Sequence, residues 1–550
     1  MKPTIFLSFL ITLFLLSCSP QKGSKDSKES SDVALGKLEH CFTLNPRVQE
    51  KFNEGLLLLH SFEYEDALTA FEEATALDST EILTHWGEAM CHYKALWKLQ
   101  NTDNGKAIVA RLGNSREDRI AAIDDPLEKE MWEVVEIMYG EGNFEERNNL
   151  IKDHLGSLHE KYPKHQEIAA FYALSLVWAT EEYGDGSYDL RLAASIADEI
   201  IKVNPLHPGA LHYKIHALDG PISAKDARDA ADAYAKVAPD AAHALHMPSH
   251  IYLALGEWDA VVSSNQRSYD ASVKRMLKKE LTDGARGYHS FAWLHYGLLQ
   301  QGKYEMAENI LNDMLTHVPK DPTKGARGYL LGMQSRQLVE SSKLSDQTQL
   351  DLDVRVDDIG ILPKSVRSFL RAQVAFQKQD LNTIHDEIEW LSKETYVASL
   401  NMNNSGDAMC AAGNSRYAPS ENSVKIAQVI KTQMESLKAL LEEDQQLFET
   451  KMKEATALED LTDFPTGPPR ITKPSFELYG EWLLEQGRYE EASQQFDKAL
   501  MRMPKRSKSL EGKLAALKAL KQIKEVAHLQ NELRAIYAQA DAEVKEFLTK

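Results

Sequence analysis

The sequence predicts an all-α protein, a superhelical solenoid of antiparallel helix pairs with an irregular centre. Three observations predict it. Apolar residues recur with helical period from about residue 46 onward, and convincing alternation of the strand type is absent. A spacing repeats within the chain: Gly55 is followed by Ala67, Phe71 and Ala74 at offsets of 12, 16 and 19, and Gly480 by Ala492, Phe496 and Ala499 at the same offsets. The length, 550 residues with 43% hydrophobic and 27% charged content, is too great for one compact core but suits a modular array.

The chain opens with MKPTIFLSFLITLFLLSCSP, in which Lys2 precedes an apolar run from Ile5 to Leu16. That run is too short to span a bilayer and reads as a secretory signal over residues 1–17. Leu15-Leu16-Ser17-Cys18 resembles the lipobox of bacterial lipoproteins, which implies cleavage before Cys18, lipidation of that cysteine and attachment to a membrane of the bacterial cell envelope. Removing one lysine and no acid takes the net charge from −20 to −21. Residues 18–36, rich in Ser, Lys and Asp, bury too little apolar surface to offset their ordering entropy and read as a flexible tether. Cys41, Cys91 and Cys410 show no spacing that names a disulfide and read as small buried residues.

The first array is expected over 37–330. In each clear copy the glycine lets two helices approach, the alanine sits where they cross, and the phenylalanine fills the seam toward the next pair. YHSFAWLHYGLLQQGKYEMAENILNDML and HIYLALGEWDAVVSSNQRS keep the helix–turn–helix form, with Ala307 and Ala260 at the crossing position. Residues 84–98 and 166–182 read as further repeat helices. The middle, 331–465, is expected to be helical but irregular, with polar loops at 345–365 and 398–422. The proline-rich PTGPPRITKP leads into the last repeats, 466–550, and Pro504 closes the Gly480 unit.

The acidic balance excludes a general nucleic-acid binder, which needs a basic footprint. GLLQQGK at 297–303 has the spacing of a phosphate-binding loop, but Tyr304 stands where a Ser or Thr should ligate magnesium and the segment is a repeat turn.

The histidines carry the chemical signal. Of 18 in the chain, six fall within 207–250 (His207, His212, His216, His243, His246 and His250), where uniform placement gives about 1.4. With Pro208 in a first helical turn, His212 and His216 stack at i and i+4 beside the apolar stripe of Leu211, Ile215 and Leu218. If Pro248 opens a second helix, His250 lies in its first turn and His246 just before it, so those two are not a clean i,i+4 pair. Equivalent helices of a solenoid stack side by side, so the two sets are able to face each other. The six residues are the candidate metal ligands, for zinc or copper above all, with Asp219 as ligand or supporting partner, Met247 as a soft donor, and His289 and His295 as possible contributors. The alternative for each histidine taken singly is a hydrogen-bonded packing residue.

HPGALHYKIHALD followed by HALHMPSHIYLALGEWD resembles a group of bacterial tetratricopeptide-repeat (TPR) lipoproteins with an HPGxxHYxIHA…HxxHMPSHI signature. The resemblance extends to HWGEAM near the start and FPTGPPRITKPSFELYGEWLLEQGRYEEA near the end, and is weak over 330–455. It implies fold and family and transfers no activity. Pro468, Pro469, Lys473, Pro474 and Glu477 match its GPP…KP…EL pattern and are read as a rigid connection between repeats. Two functions follow: an envelope-anchored scaffold binding a protein or peptide on its concave face, or a transition-metal-binding protein or metal-dependent enzyme using the histidine cluster.

Overall fold

The computed structural model describes residues 34–39, 41–180, 187–320, 322–342, 354–402 and 419–547. Residues 1–33 (with the expected signal and Cys18), Cys410 and residues 345–353 and 403–418 of the two expected polar loops lie outside them, and residues 34–36, expected as tether, are instead packed, with Leu35 buried. Ala34–Lys550 form one compact unit.

Helix pairs dominate because one three-residue turn recurs. In His60–Tyr64 the helix Pro46–His60 ends, Phe62 takes a left-handed conformation (φ 55°), and Tyr64–Leu77 begins. Glu63 N–H donates to Leu58 O and Phe62 N–H to Leu59 O, the bond pair of a Schellman ending. The same turn, with the same two backbone bonds, is centred on Gly256, Gly302, Gln379, Glu443, Gly487 and Lys521. Each turn reverses the chain, so successive helices pack as neighbours from Pro46–His60 through Ile523–Ile536. The fold is therefore an all-α, TPR-like array.

Phe71 shows how one pair is locked to the next. Its ring lies between Gly55 of its own hairpin and Gly87 of the following helix, Ile82–Cys91, where a Cβ would stand 2.8 and 2.4 Å from ring carbons. Phe496 lies in the same way between Gly480 and Gly512, with Cβ distances of 2.9 and 2.2 Å. Ala67 and Ala492 are fully buried at the helix crossings.

Two expected elements change. The helix expected over 84–98 stops at Cys91, and Tyr93–Lys94 and Leu99–Gln100 form a two-residue antiparallel hairpin around Ala95–Trp97. Tyr93, just past the helix end, packs on Tyr139 and Phe144, and its hydroxyl donates to Asn148. The middle segment carries the regular helices Ile361–Gln377, Leu381–Leu400, Glu421–Leu441 and Gln445–Asp460, so residues 361–365 and 398–400 are helical rather than loop.

The array also folds back on itself. Pro46–His60 packs on Pro208–Ala217, and Asp66 is paired with Arg275 and Lys279. At the other end, Trp258 Nε1 donates to Lys505 O, Ser507 N–H to Gln300 Oε1, and Asp541 N–H to Gly302 O. The last repeats thus sit across the turns of two earlier ones.

The glycine–phenylalanine seam gives a test of sign. Helix propensity alone favours Ala over Gly by about 1 kcal/mol, but the added Cβ at position 87 or 512 collides with an aromatic ring held on its other face. Gly87→Ala and Gly512→Ala should each lower stability by about 1–3 kcal/mol in denaturant titration. A stabilised variant would contradict the wedge.

Candidate functional site

The six histidines of 207–250 are brought together with His60 and His289, but they divide into three sets. His207 leaves the group. It ends the chain before Pro208–Ala217, its Nδ1 accepts from Ala210 N–H (3.1 Å), and its Nε2 faces Glu167 Oε1 (3.2 Å). The other oxygen of Glu167 lies 2.7 Å from His60 Nε2, and His60 Nδ1 is 2.8 Å from the Tyr213 hydroxyl. An N–H donor fixes Nδ1 of His207 as acceptor, so Nε2 carries the proton and donates to Glu167. His60, Glu167 and His207 form a closed, hydrogen-bonded buried triad. The two imidazoles hold the Glu167 carboxyl far below the usual carboxylate range although its burial opposes this.

His212, His216 and His243 form the second set, with candidate ligand atoms all within 4.8 Å of one another. His212 and His216 stack on Pro208–Ala217 as expected, with ring centroids 4.8 Å apart. His243, partly buried, crosses from Ala242–His246 and brings its Nε2 to 3.2 Å from His212 Nε2. His212 Nδ1 donates to the carbonyl of His60 (2.7 Å). His216 is 1% exposed, and neither of its ring nitrogens has a hydrogen-bond partner. A buried polar group left in that state costs about 1–3 kcal/mol. Phe62, the bulky residue at the left-handed turn position, lays its ring 4.4 Å from that of His212 and stacks on His216 and His243.

His246, His250 and His289 form the third set, again within 4.8 Å. As expected, Pro248 opens the helix Pro248–Ala254, with His250 in its first turn and His246 just before it. Met247, between Ala242–His246 and Pro248–Ala254, keeps right-handed helical angles (φ −52°, ψ −38°). The His246 and His250 rings meet edge to face, with Nε2 atoms 3.2 Å apart. His250 Nδ1 is 2.6 Å from Asp219 Oδ2, which makes Asp219 a supporting partner. His246 Nδ1 is 2.7 Å from Asn265 Oδ1, and Asn265 Nδ2 donates to Val261 O, which settles the orientation of the amide. His289, on Tyr288–Gln300, meets the Tyr329 hydroxyl through Nδ1 (3.0 Å), and Trp293 packs on both His246 and His250. His295 lies apart, bonded to Gln337, and Met247 is buried in the apolar core.

Burial pulls His212 and His246 down to about 3, and His216 and His243 also well below their ordinary value, with neighbouring imidazoles adding to the effect. These rings are neutral at pH 7.

His250 and His289 stand on the wall of a cavity of about 980 Å³. Its other walls come from Leu99–Gln100, Gly325–Arg336, Ile359–Val366 and the loop Phe464–Pro474. Arg336 lines it. Its Nη2 donates to the carbonyls of Pro468 and Pro469 (3.4 and 3.1 Å), its Nε has no partner, and among the described residues no carboxylate pairs with it. Burial pulls this guanidinium down to about 10. The GPP motif is thus a cavity wall that holds a cation. Lys473 and Glu477 of the same motif pair with each other in the buried cluster around Arg506.

Sequence reasoning missed His60, Glu167, Asn265 and Arg336. Only His60 carried a signal, as a lone polar residue closing the apolar run LLLLH.

No protein-family model matches the sequence, and no curated protein matches it. Among solved structures, the chain is similar to the Cut9–Hcn1 hetero-tetramer of APC/C (TM-score 0.34, 11% identity, 92% of this chain and 76% of that chain). It is similar to yeast Tom70 (0.31, 11%, 88% and 99%) and to the TPR domain of P58(IPK) (0.19, 14%, 86% and 98%). Identities and scores this low say nothing about function.

Neutral buried imidazoles predict a pH dependence. Between the unfolded value near 6.5 and the folded values near 3, the unfolded chain binds protons that the folded chain does not. Stability is full above about pH 6.5 and falls as pH drops below it, by about 1.4 kcal/mol per pH unit for each such histidine. Denaturant midpoints in chelator should decline steeply from pH 7 to 5. A flat profile would show that the rings are solvated.

Proposed function

We propose that the protein is an envelope-tethered interaction scaffold that receives a carboxylate-bearing peptide segment of a partner in the 980 Å³ cavity. The observation that carries this reading is Arg336. Arg336 lines the cavity with its Nε unpartnered and, among the described residues, no carboxylate in direct contact, Glu340 acting on it only through space, and an incoming carboxylate would add a charge-assisted pair. Lys324 stands on the same wall, and Ile359, Ile361, Leu362, Phe464 and Pro465 supply apolar surface for flanking side chains. The volume is at the upper end for small-ligand sites, which suits several residues of extended chain. The cavity is a more specific place for a partner than the concave face as a whole. The tether is the lipid on Cys18, supported by the lipobox-like Leu15–Cys18 and the polar segment after it.

Labelled hexapeptide pools with a free C-terminal carboxylate should bind the chain at least tenfold more tightly than their amidated forms. Arg336→Gln should erase that preference, since a lost charge-assisted hydrogen bond is worth about 1.5–3 kcal/mol. Equal binding of acid and amide would overturn the cavity reading, and a preference confined to small carboxylates would make the protein a small-molecule binder. Cys18→Ala should move the chain from the detergent-extracted membrane fraction to the soluble one. Unchanged fractionation would overturn the tether.

A further inference from the structure

We propose that the interior binds two transition-metal cations, zinc or copper, one on His212, His216 and His243 and one on His246, His250 and His289. This goes beyond partner binding and stands on a separate observation, the assignment of protons to ring nitrogens.

A carbonyl only accepts, so His212 Nδ1, 2.7 Å from His60 O, carries the proton and its Nε2 presents a lone pair. The Asp219 carboxylate assigns His250 in the same way, and the Asn265 carbonyl oxygen assigns His246. The Nε2 atoms of His246 and His250 then point at each other as two acceptors, 3.2 Å apart. Two neutral rings cannot satisfy that contact. A proton shared between them, with the Asp219 carboxylate beside His250, satisfies it in the metal-free chain. A metal ion bound by both nitrogens satisfies it at the observed spacing, because two nitrogens about 2.0–2.1 Å from a tetrahedral zinc lie about 3.3 Å apart. His289 supplies the third nitrogen.

In the other cluster His216 makes the argument. It is wholly enclosed, both ring nitrogens lack partners, and it lies within ligand distance of His212 and His243. The closed triad of His60, Glu167 and His207 is the internal contrast. Its ring nitrogens are all matched to a donor or acceptor within the protein, so it is hydrogen-bonded structure and no third site.

The donor set selects the cation. Six imidazoles without an oxygen ligand suit zinc, copper or nickel and disfavour calcium and magnesium. The Asp219–His250 contact is the carboxylate–imidazole arrangement that orients metal-bound histidine. Three protein nitrogens leave a coordination position open, and at the second cluster His250 and His289 place the ion at the wall of the cavity.

The full chain, purified without a histidine tag and stripped with chelator, should take up two equivalents of Zn²⁺ or Cu²⁺, each offered alone and read by elemental mass spectrometry. His216→Ala and His246→Ala should each lose one equivalent. His207→Gln and His295→Gln, which alter equally buried imidazoles outside both clusters, should keep two. Less than a tenth of an equivalent of either metal on the folded wild-type chain would overturn the proposal, as would folded His216→Ala or His246→Ala chains that keep two, or His207→Gln losing one. Because the wild-type stoichiometry is read without any substitution, a variant that fails to fold leaves the decision intact.

Discussion

Arg506 ties the last repeats to the middle of the array. It is completely buried, donates to both oxygens of Glu477 (2.7 and 3.0 Å), and reaches Glu340 and the Tyr296 hydroxyl, residues 166 and 210 positions away. Ser509 and Lys473 complete the shell of Glu477. Arg506 and Lys473 hold the Glu477 carboxyl well below the usual range, whereas burial raises Glu340. Such a cluster is tolerated in a dry interior only when every member is paired, and removing one partner of such a cluster typically costs about 3–5 kcal/mol. Its consequence is positional. Tying Lys473 and Glu477 to Arg506 anchors one end of the loop Phe464–Pro474, whose Pro468 and Pro469 carbonyls hold Arg336 on the cavity wall.

The histidine clusters depend on a second return of the chain. Pro46–His60 packs on Pro208–Ala217, and this sets the His60 carbonyl against His212 and the Phe62 ring over His212, His216 and His243. Every other hairpin turn of this kind among the described residues carries Gly, Gln, Glu or Lys at the left-handed position, residues that are small or flexible. A phenylalanine there is unusual for backbone reasons and is kept by what its side chain covers.

Much of the fold was legible because the helix pairs announce themselves through small residues. Gly256, Gly302 and Gly487 marked three turns, and the Gly–Ala–Phe–Ala spacing marked two seams. The regular helices of the middle were hidden because Gln379 and Glu443 fill the same turn position without a glycine. The excess of histidine was legible as arithmetic. Its division was not, since His207 is drawn away by Glu167 and His60, and His250 is assigned by Asp219, all contacts between residues 31 or more positions apart. The meeting of His246 with His250 was hidden by the break at Pro248: Met247 keeps right-handed helical angles, and the two rings still touch edge to face.

In each cluster three imidazoles bring their candidate ligand nitrogens within 4.8 Å of one another, an arrangement that a bound cation satisfies. X-ray absorption at the metal edge of the zinc-loaded chain tests this most directly. The geometry requires a first shell of nitrogen at about 2.0–2.1 Å with the outer-shell pattern of imidazole. A sulfur scatterer near 2.3 Å, or the spectrum of hydrated zinc, would contradict it.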